Sequence, residues 1–331
     1  MGGISPTGPA RQPSGTGDSP ACSAEKPLSL PRAGKRLAAI ARNNFATRQS
    51  KGLELPAVEL SEADIMPGSS TDRFLGLFSE EAIWSGLEQS GIIGGLQSLG
   101  FSGLNLCVTH KEFSSHELHM FCGRRCRDNL LIELRLKTGC WPAQPCYISG
   151  ADHAGKRVIA VEWLVMQNPT AQFTPERPRL PGQDFPGLGM GRPFLDLLAR
   201  WSRDAGYVAL FNVPEYYHNA AIYSSYFKFL SPFMEGKLRR MQEDLQHEPL
   251  AVISYAILLD GLRDRRSNRA IPWRPQWQVK PLCPSISDLF SGTVYQEKVT
   301  KAYRSYRFTL DPAILERARR AVSSPKEFLL D

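Results

Sequence analysis

LPGQDFPGLGMGRPFLDLLARWSRDAG (180–206), YVALFNV (207–213) and PEYYHNAAIYSSYFKFL (214–230) follow one another without a break, and their reading decides the fold. Gly187, Gly189 and Gly191 alternate with Leu188 and Met190 directly ahead of Arg192 and Pro193. Glycines let a backbone turn tightly and bring several N–H groups towards one point. Pro193 suits a first helical turn, where its missing N–H costs nothing. Behind it Phe194, Leu197, Leu198, Trp201 and Ala205 recur at helical spacing, and Gly206 is placed to end the helix. A loop of free N–H groups at a helix start suits phosphate or pyrophosphate, although an ordinary glycine turn has the same composition. Residues 207–213 are a compact apolar run, the pattern of a strand buried on both faces. Pro214 then opens a predicted helix with Tyr216, Ala220, Tyr223 and Phe227 on one stripe.

This loop–helix–strand–helix order, ending in Asn219-Ala220-Ala221-Ile222-Tyr223 and later Phe229, resembles the second half of the GNAT family of acyl-CoA N-acyltransferases. The resemblance implies that the glycine loop holds the pyrophosphate of coenzyme A, with acetyl-CoA or another acyl-CoA as co-substrate. It assigns Gln183, Gly187, Leu188, Gly189, Met190, Gly191, Arg192 and Asn219 to cofactor binding, and Tyr223 to protonation of the departing thiolate. Asp184 stands where the family has Arg or Gln, and Lys228 where it has the Gly of a Gly-Phe pair.

Working outward, strand-like runs cover 103–108, 117–122, 130–137 and 158–166, preceded by a helical segment over 74–90 in which Ser79 is a cap for Glu80-Glu81. Ile132, Leu134 and Leu136 alternate with Glu133, Arg135 and Lys137, and the polar turn at 124–129 predicts an antiparallel hairpin. The pattern predicts an α/β domain over 70–262 with a mixed sheet, and the resemblance implies that it is GNAT-like, a mostly antiparallel central sheet flanked by helices. Residues 1–50 read as a disordered and basic N-terminal segment, of which 1–34 are expected to be dispensable for folding, and 263–331 as a C-terminal extension with strand-like Tyr303, Tyr306 and Phe308. A proline-studded connector at 167–179 separates the last long strand from the glycine loop; a lid and a surface decoration are both open.

Glu162 interrupts an otherwise apolar strand. Desolvation there would raise its pKa and suit it to deprotonate an acceptor amine, a role that the resemblance also gives to that strand. His218, beside Asn219, is expected at an exposed helix start. His116, His119, Cys122 and Cys126 have ligand chemistry but poor spacing, since strand alternation sends His119 and Cys122 to opposite faces, so no metal is assigned.

Hydrophobic residues make up 42% of 331 positions, and no apolar run approaches the roughly 18 residues of a membrane span. Seven irregularly placed cysteines fit a reducing, cytoplasmic setting better than a disulfide scaffold. The net charge of +7 permits an acidic partner without requiring one. Three readings follow: an N-acyltransferase; a GNAT-shaped scaffold without turnover, which the departures at Asp184 and Lys228 favour; and nucleic-acid binding, the least expected, through the arginines and tryptophans of 263–280. The acceptor amine and the oligomeric state are not legible.

Overall fold

The computed structural model describes residues 73–112, 114–141, 153 and 155–323, so the N-terminal segment lies outside the described residues. Among the described residues two helices come first, α1 (Glu80–Gln89) and α2 (Ile92–Ser98). The Ser79 hydroxyl accepts from the Ala82 N–H at 3.3 Å, the expected cap. The helix starts later than its apolar spacing suggests, because Phe74 and Phe78 pair across a tight turn that holds Leu75 at φ 54°.

Strands β1 (Leu104–Glu112), β2 (Ser115–Cys122), β3 (Leu130–Cys140) and β4 (Arg157–Met166) form an antiparallel meander, with the predicted hairpin between β2 and β3. The crossover helix α3 (Gly191–Asp204) returns the chain to β5 (Ala209–Asn212), which lies parallel to β4. After α4 (Tyr217–Ile222) come β6 (Lys228–Phe229), α5 (Pro232–Asp244), α6 (Leu250–Leu258) and β7 (Leu262–Asp264). The described residues close with β8 (Gln278–Pro281), α7 (Pro284–Ser291), α8 (Thr293–Ser305), β9 (Phe308–Leu310) and α9 (Pro312–Ser323).

Among the described residues the main sheet has seven strands in the order β1-β2-β3-β4-β5-β8-β6, and β7 pairs with β9 in a small second sheet. Residues read as a C-terminal extension are therefore woven into the sheet, where β8 lies between β5 and β6. A four-residue strand carries no sequence signal of its own, and its place is set by pairing with β5. Tyr303 is helical rather than strand-like, because α8 runs on to Ser305 before β9 begins.

Three apolar cores hold these layers. The largest joins α1, α2 and α3 to one face of β1–β4 through Ile83, Leu87, Leu96, Leu134, Phe194 and Leu198. A second lies on the opposite face of the central strands, where Val158, Ala209, Phe211 and Val279 meet Ile286 and Phe290 of α7. The third binds α4, α5, α6 and α9. The other face of β1–β4 carries polar side chains instead. There Glu133 accepts from Arg135, faces His119 at 3.6 Å and accepts from the Trp163 indole at 3.2 Å. His119 and then Arg135 hold the Glu133 carboxyl well down, to about 2.

Candidate functional site

β4 sets the geometry. Its first residues pair with β5 from Val158↔Ala209 to Val161↔Asn212, and there the parallel pairing stops. On its other edge Val161 faces Leu136 while Trp163 faces Arg135, so Glu162 opposes no residue of β3. Glu162 is the extra residue of a β-bulge, which bends a strand and shifts its alternation by one. Ile159 and Val161 face the α1–α3 core before the bulge, Leu164 and Met166 after it. The bulge falls where β5 ends, so the Glu162–Met166 stretch of β4 has no strand paired on that edge, and we call this unpaired edge the wedge.

The glycine loop closes the far end of this wedge. The Leu188 N–H bonds to the Met166 carbonyl at 3.2 Å, Asn168 N–H to the Pro186 carbonyl at 2.7 Å, and Leu188 buries its side chain in the large core. Gly189 then turns with φ 78°, a conformation that favours glycine, and α3 begins two residues later. Among the described residues no acceptor engages the N–H groups of Gly189, Met190, Gly191 or Arg192, and the first helical bond is from Phe194 N–H to the Met190 carbonyl. These four uncommitted donors lie at the positive end of a 14-residue helix. Leu188, also expected to bind cofactor, instead commits its N–H to β4.

Tyr223 comes to the same place. A β-carbon built on Gly191 would stand 3.5 Å from its hydroxyl, and that hydroxyl has no hydrogen-bond partner among the described residues. Burial of the ring pushes the phenol pKa up, so the proton stays on oxygen at neutral pH. The helix expected to carry it is shorter than predicted: α4 spans six residues, with Tyr223 at its C-cap. Phe227 N–H still bonds to the Tyr223 carbonyl, but β6 must reach β8, which draws the chain out of helical register. Exposed Arg192 extends from the loop to Tyr226, whose hydroxyl accepts from its Nε at 2.9 Å.

Other expected site residues lie elsewhere. Glu162 is exposed, so the desolvation argued from its apolar neighbours does not occur; the bulge turns it out of the alternation. Gln183 serves the connector, accepting from the Leu180 N–H at 3.1 Å, and its carbonyl accepts from Arg179. Asp184 pairs with Arg127 at 2.7 Å and Arg179 at 3.6 Å. With Arg177 donating to the Gly187 carbonyl at 2.9 Å, these bonds tie the connector down beside the loop. Asn219 is half-buried on α4, where its carbonyl accepts from the Tyr223 N–H.

His218 is not at an exposed helix start but 3% exposed, bonded through Nδ1 to the Ser254 hydroxyl at 2.7 Å and stacked on Tyr216. Burial lowers its pKa to about 4 from 6.5. The folded chain thus binds fewer protons than the unfolded one, so stability is full above pH 6.5 and falls as pH drops towards 4. Comparing urea midpoints of wild type and His218→Gln across that window should show a loss of about 3 kcal/mol in wild type that the variant lacks.

Sequence reading missed one feature of the wedge. Asn212 faces Gln278 across β5 and β8 where the pairing with β4 stops. The Asn212 Oδ1 and both carboxamide atoms of Gln278 are buried without a partner among the described residues. Nothing in the local sequence pairs two residues so distant along the chain. Among the described residues no group of three or more His, Cys, Asp or Glu is placed to hold a metal ion. Neither a scan against models of protein families nor a search of curated proteins found a match to this chain.

Proposed function

We propose that this protein is an N-acyltransferase that moves an acyl group from coenzyme A to an amine. The observation that carries the reading is the meeting of uncommitted N–H groups at Gly189–Arg192 with the unpartnered Tyr223 hydroxyl beside Gly191, at the end of the unpaired edge of β4. The loop donors hold the pyrophosphate through charge-assisted hydrogen bonds and the α3 dipole. The pantetheine arm, an extended chain with amide groups, lies along the edge of β4 that β5 has left. Its thioester then faces Tyr223, which donates a proton to the departing sulfur as the amine attacks the carbonyl carbon. Glu162, at the bulge and open to solvent, relays the proton lost by the amine to water.

Calorimetry with coenzyme A tests the cofactor half of this reading, using Gly189→Ala and Gly189→Glu. Both variants strain a backbone at φ 78°, but only Glu adds a negative charge facing the phosphates. Open space around Gly189 accommodates either side chain. Wild type should bind, Ala should weaken binding modestly, and Glu should weaken it at least tenfold more than Ala. Equal affinity in all three proteins, or no binding to wild type at millimolar ligand, would remove the assignment.

A further inference from the structure

The small β7–β9 sheet carries a charge pattern that the acyl-transfer reading does not use. After β7 the chain turns through Arg265, Arg266, Ser267 and Asn268 and returns at Arg269, closed by bonds from Asn268 N–H to the Asp264 carbonyl and from Asp264 N–H to the Arg269 carbonyl, at 2.8 and 2.9 Å. Beside this hairpin the Arg265 N–H bonds to the Arg307 carbonyl at 2.8 Å, which places two arginines side by side on adjacent stretches of backbone. Arg307 in turn donates to the Arg304 carbonyl at 3.2 Å, which sets it beside the last turn of α8 and exposed Arg304. Arg265, Arg266, Arg269 and Arg304 are exposed, and Arg307 is half-buried.

None of these five arginines forms an ion pair with a carboxylate among the described residues, whereas Arg239, Arg240, Arg263 and Arg319 nearby all do. The acid within the turn, Asp264, accepts from the N–H and the hydroxyl of Ser267 and from the N–H of Arg266, and these bonds, with the nearby Arg266 charge, lower its pKa without an ion-pair contact. Like charges placed opposite one another across strands are destabilising, and an anion bridging them relieves that cost. We infer that this tip, Arg265, Arg266, Arg269, Arg304 and Arg307, is a docking surface for the phosphodiester backbone of a nucleic acid.

The chemistry favours that partner. The five named cations are arginine, whose planar fork matches phosphate oxygens in pairs, and exposed Lys301 adds a point charge three residues before Arg304. Ser267 and Asn268 add neutral hydrogen-bonding groups at the apex. From Arg265 to Ala270 the hairpin exposes no large apolar side chain, so it lacks both the insertion residues of a membrane-surface segment and the apolar anchors of a protein interface. Base stacking is not part of the inference: Trp273 packs on Tyr217 and Phe229 in one core, and Trp277 packs against another. Contact is with phosphates, independent of sequence and sensitive to salt.

Fluorescence anisotropy with the full chain tests this, using labelled DNA of about 20 nucleotides, single-stranded and duplex, between about 50 and 200 mM salt. Five phosphate contacts predict a log–log salt slope of about −4.5 on duplex and somewhat shallower on the single strand. The triple variant Arg265→Gln/Arg266→Gln/Arg269→Gln should bind both forms at least tenfold more weakly, with the duplex slope reduced in magnitude by about 3. An unchanged melting temperature would show that the variant folds. Equal affinity in wild type and variant would place any binding on other basic residues and overturn the inference. Failure of wild type to bind either form, or its capture by phosphatidylserine vesicles but not by nucleic acid, would overturn it as well.

Discussion

Replacing Tyr223 by Phe should lower kcat for acyl transfer by about 10²–10⁴-fold while leaving KM for the acyl donor nearly unchanged. The substitution keeps the ring, which packs against the large core, and removes only the hydroxyl beside Gly191. That hydroxyl has no hydrogen-bond partner among the described residues, so its loss should leave folding stability within about 1 kcal/mol of wild type, or raise it slightly. A purely structural role predicts the reverse pattern, with turnover intact and any effect confined to the melting curve. Burial that raises the phenol pKa is consistent with an acid that holds its proton until a thiolate takes it. Rates with a panel of amines, beside thermal melts of both proteins, separate the two.

A second large effect is expected far from the site. Gly236 lies where α5 crosses α8, and a β-carbon there would collide with the Val299 carbonyl and stand 2.8 Å from the Ala302 Cβ and the Tyr303 nitrogen. Two of those three atoms are backbone, so the helices must separate to admit even a methyl group. Gly236→Ala should cost about 3 kcal/mol, outweighing the roughly 1 kcal/mol that alanine gains over glycine in a helix interior. The melting temperature should fall by roughly 5–10 °C. Gly94→Ala on α2 is the matched control: nothing lies within 4 Å of its built β-carbon, so helix propensity acts alone and stability should rise. A Gly236→Ala protein that melts with wild type would show that the crossing is looser than this packing implies.

Much of the architecture was legible because it rests on local periodicity. Alternation in 130–137 gave β3 and its buried face, and the helical stripe from Phe194 to Trp201 gave α3. The glycine loop was legible too, since positive φ at Gly189 is a local demand. What failed was decided by pairing between distant residues. The bulge at Glu162 exists only in register with Arg135 and Leu136, so the carboxylate that looked buried in an apolar run is exposed. His218 looked exposed beside two tyrosines, and it is buried because α6 brings Ser254 to it from 36 residues away. β8 entered the sheet unannounced for the same reason, and with it came the unpartnered amides of Gln278. The tryptophans at 273 and 277, grouped with the neighbouring arginines by composition, were claimed by cores that sequence proximity does not reveal.

The central claim is that the loop before α3 binds the pyrophosphate of coenzyme A, and a crystal structure grown with acetyl-CoA tests it most directly. The predicted result places the pyrophosphate oxygens roughly 2.7–3.2 Å from N–H groups of Gly189, Met190, Gly191 and Arg192, with the thioester sulfur within hydrogen-bond reach of the Tyr223 hydroxyl. Acetyl-CoA bound elsewhere on the molecule, or lying in the wedge with its phosphates away from this loop, would contradict it.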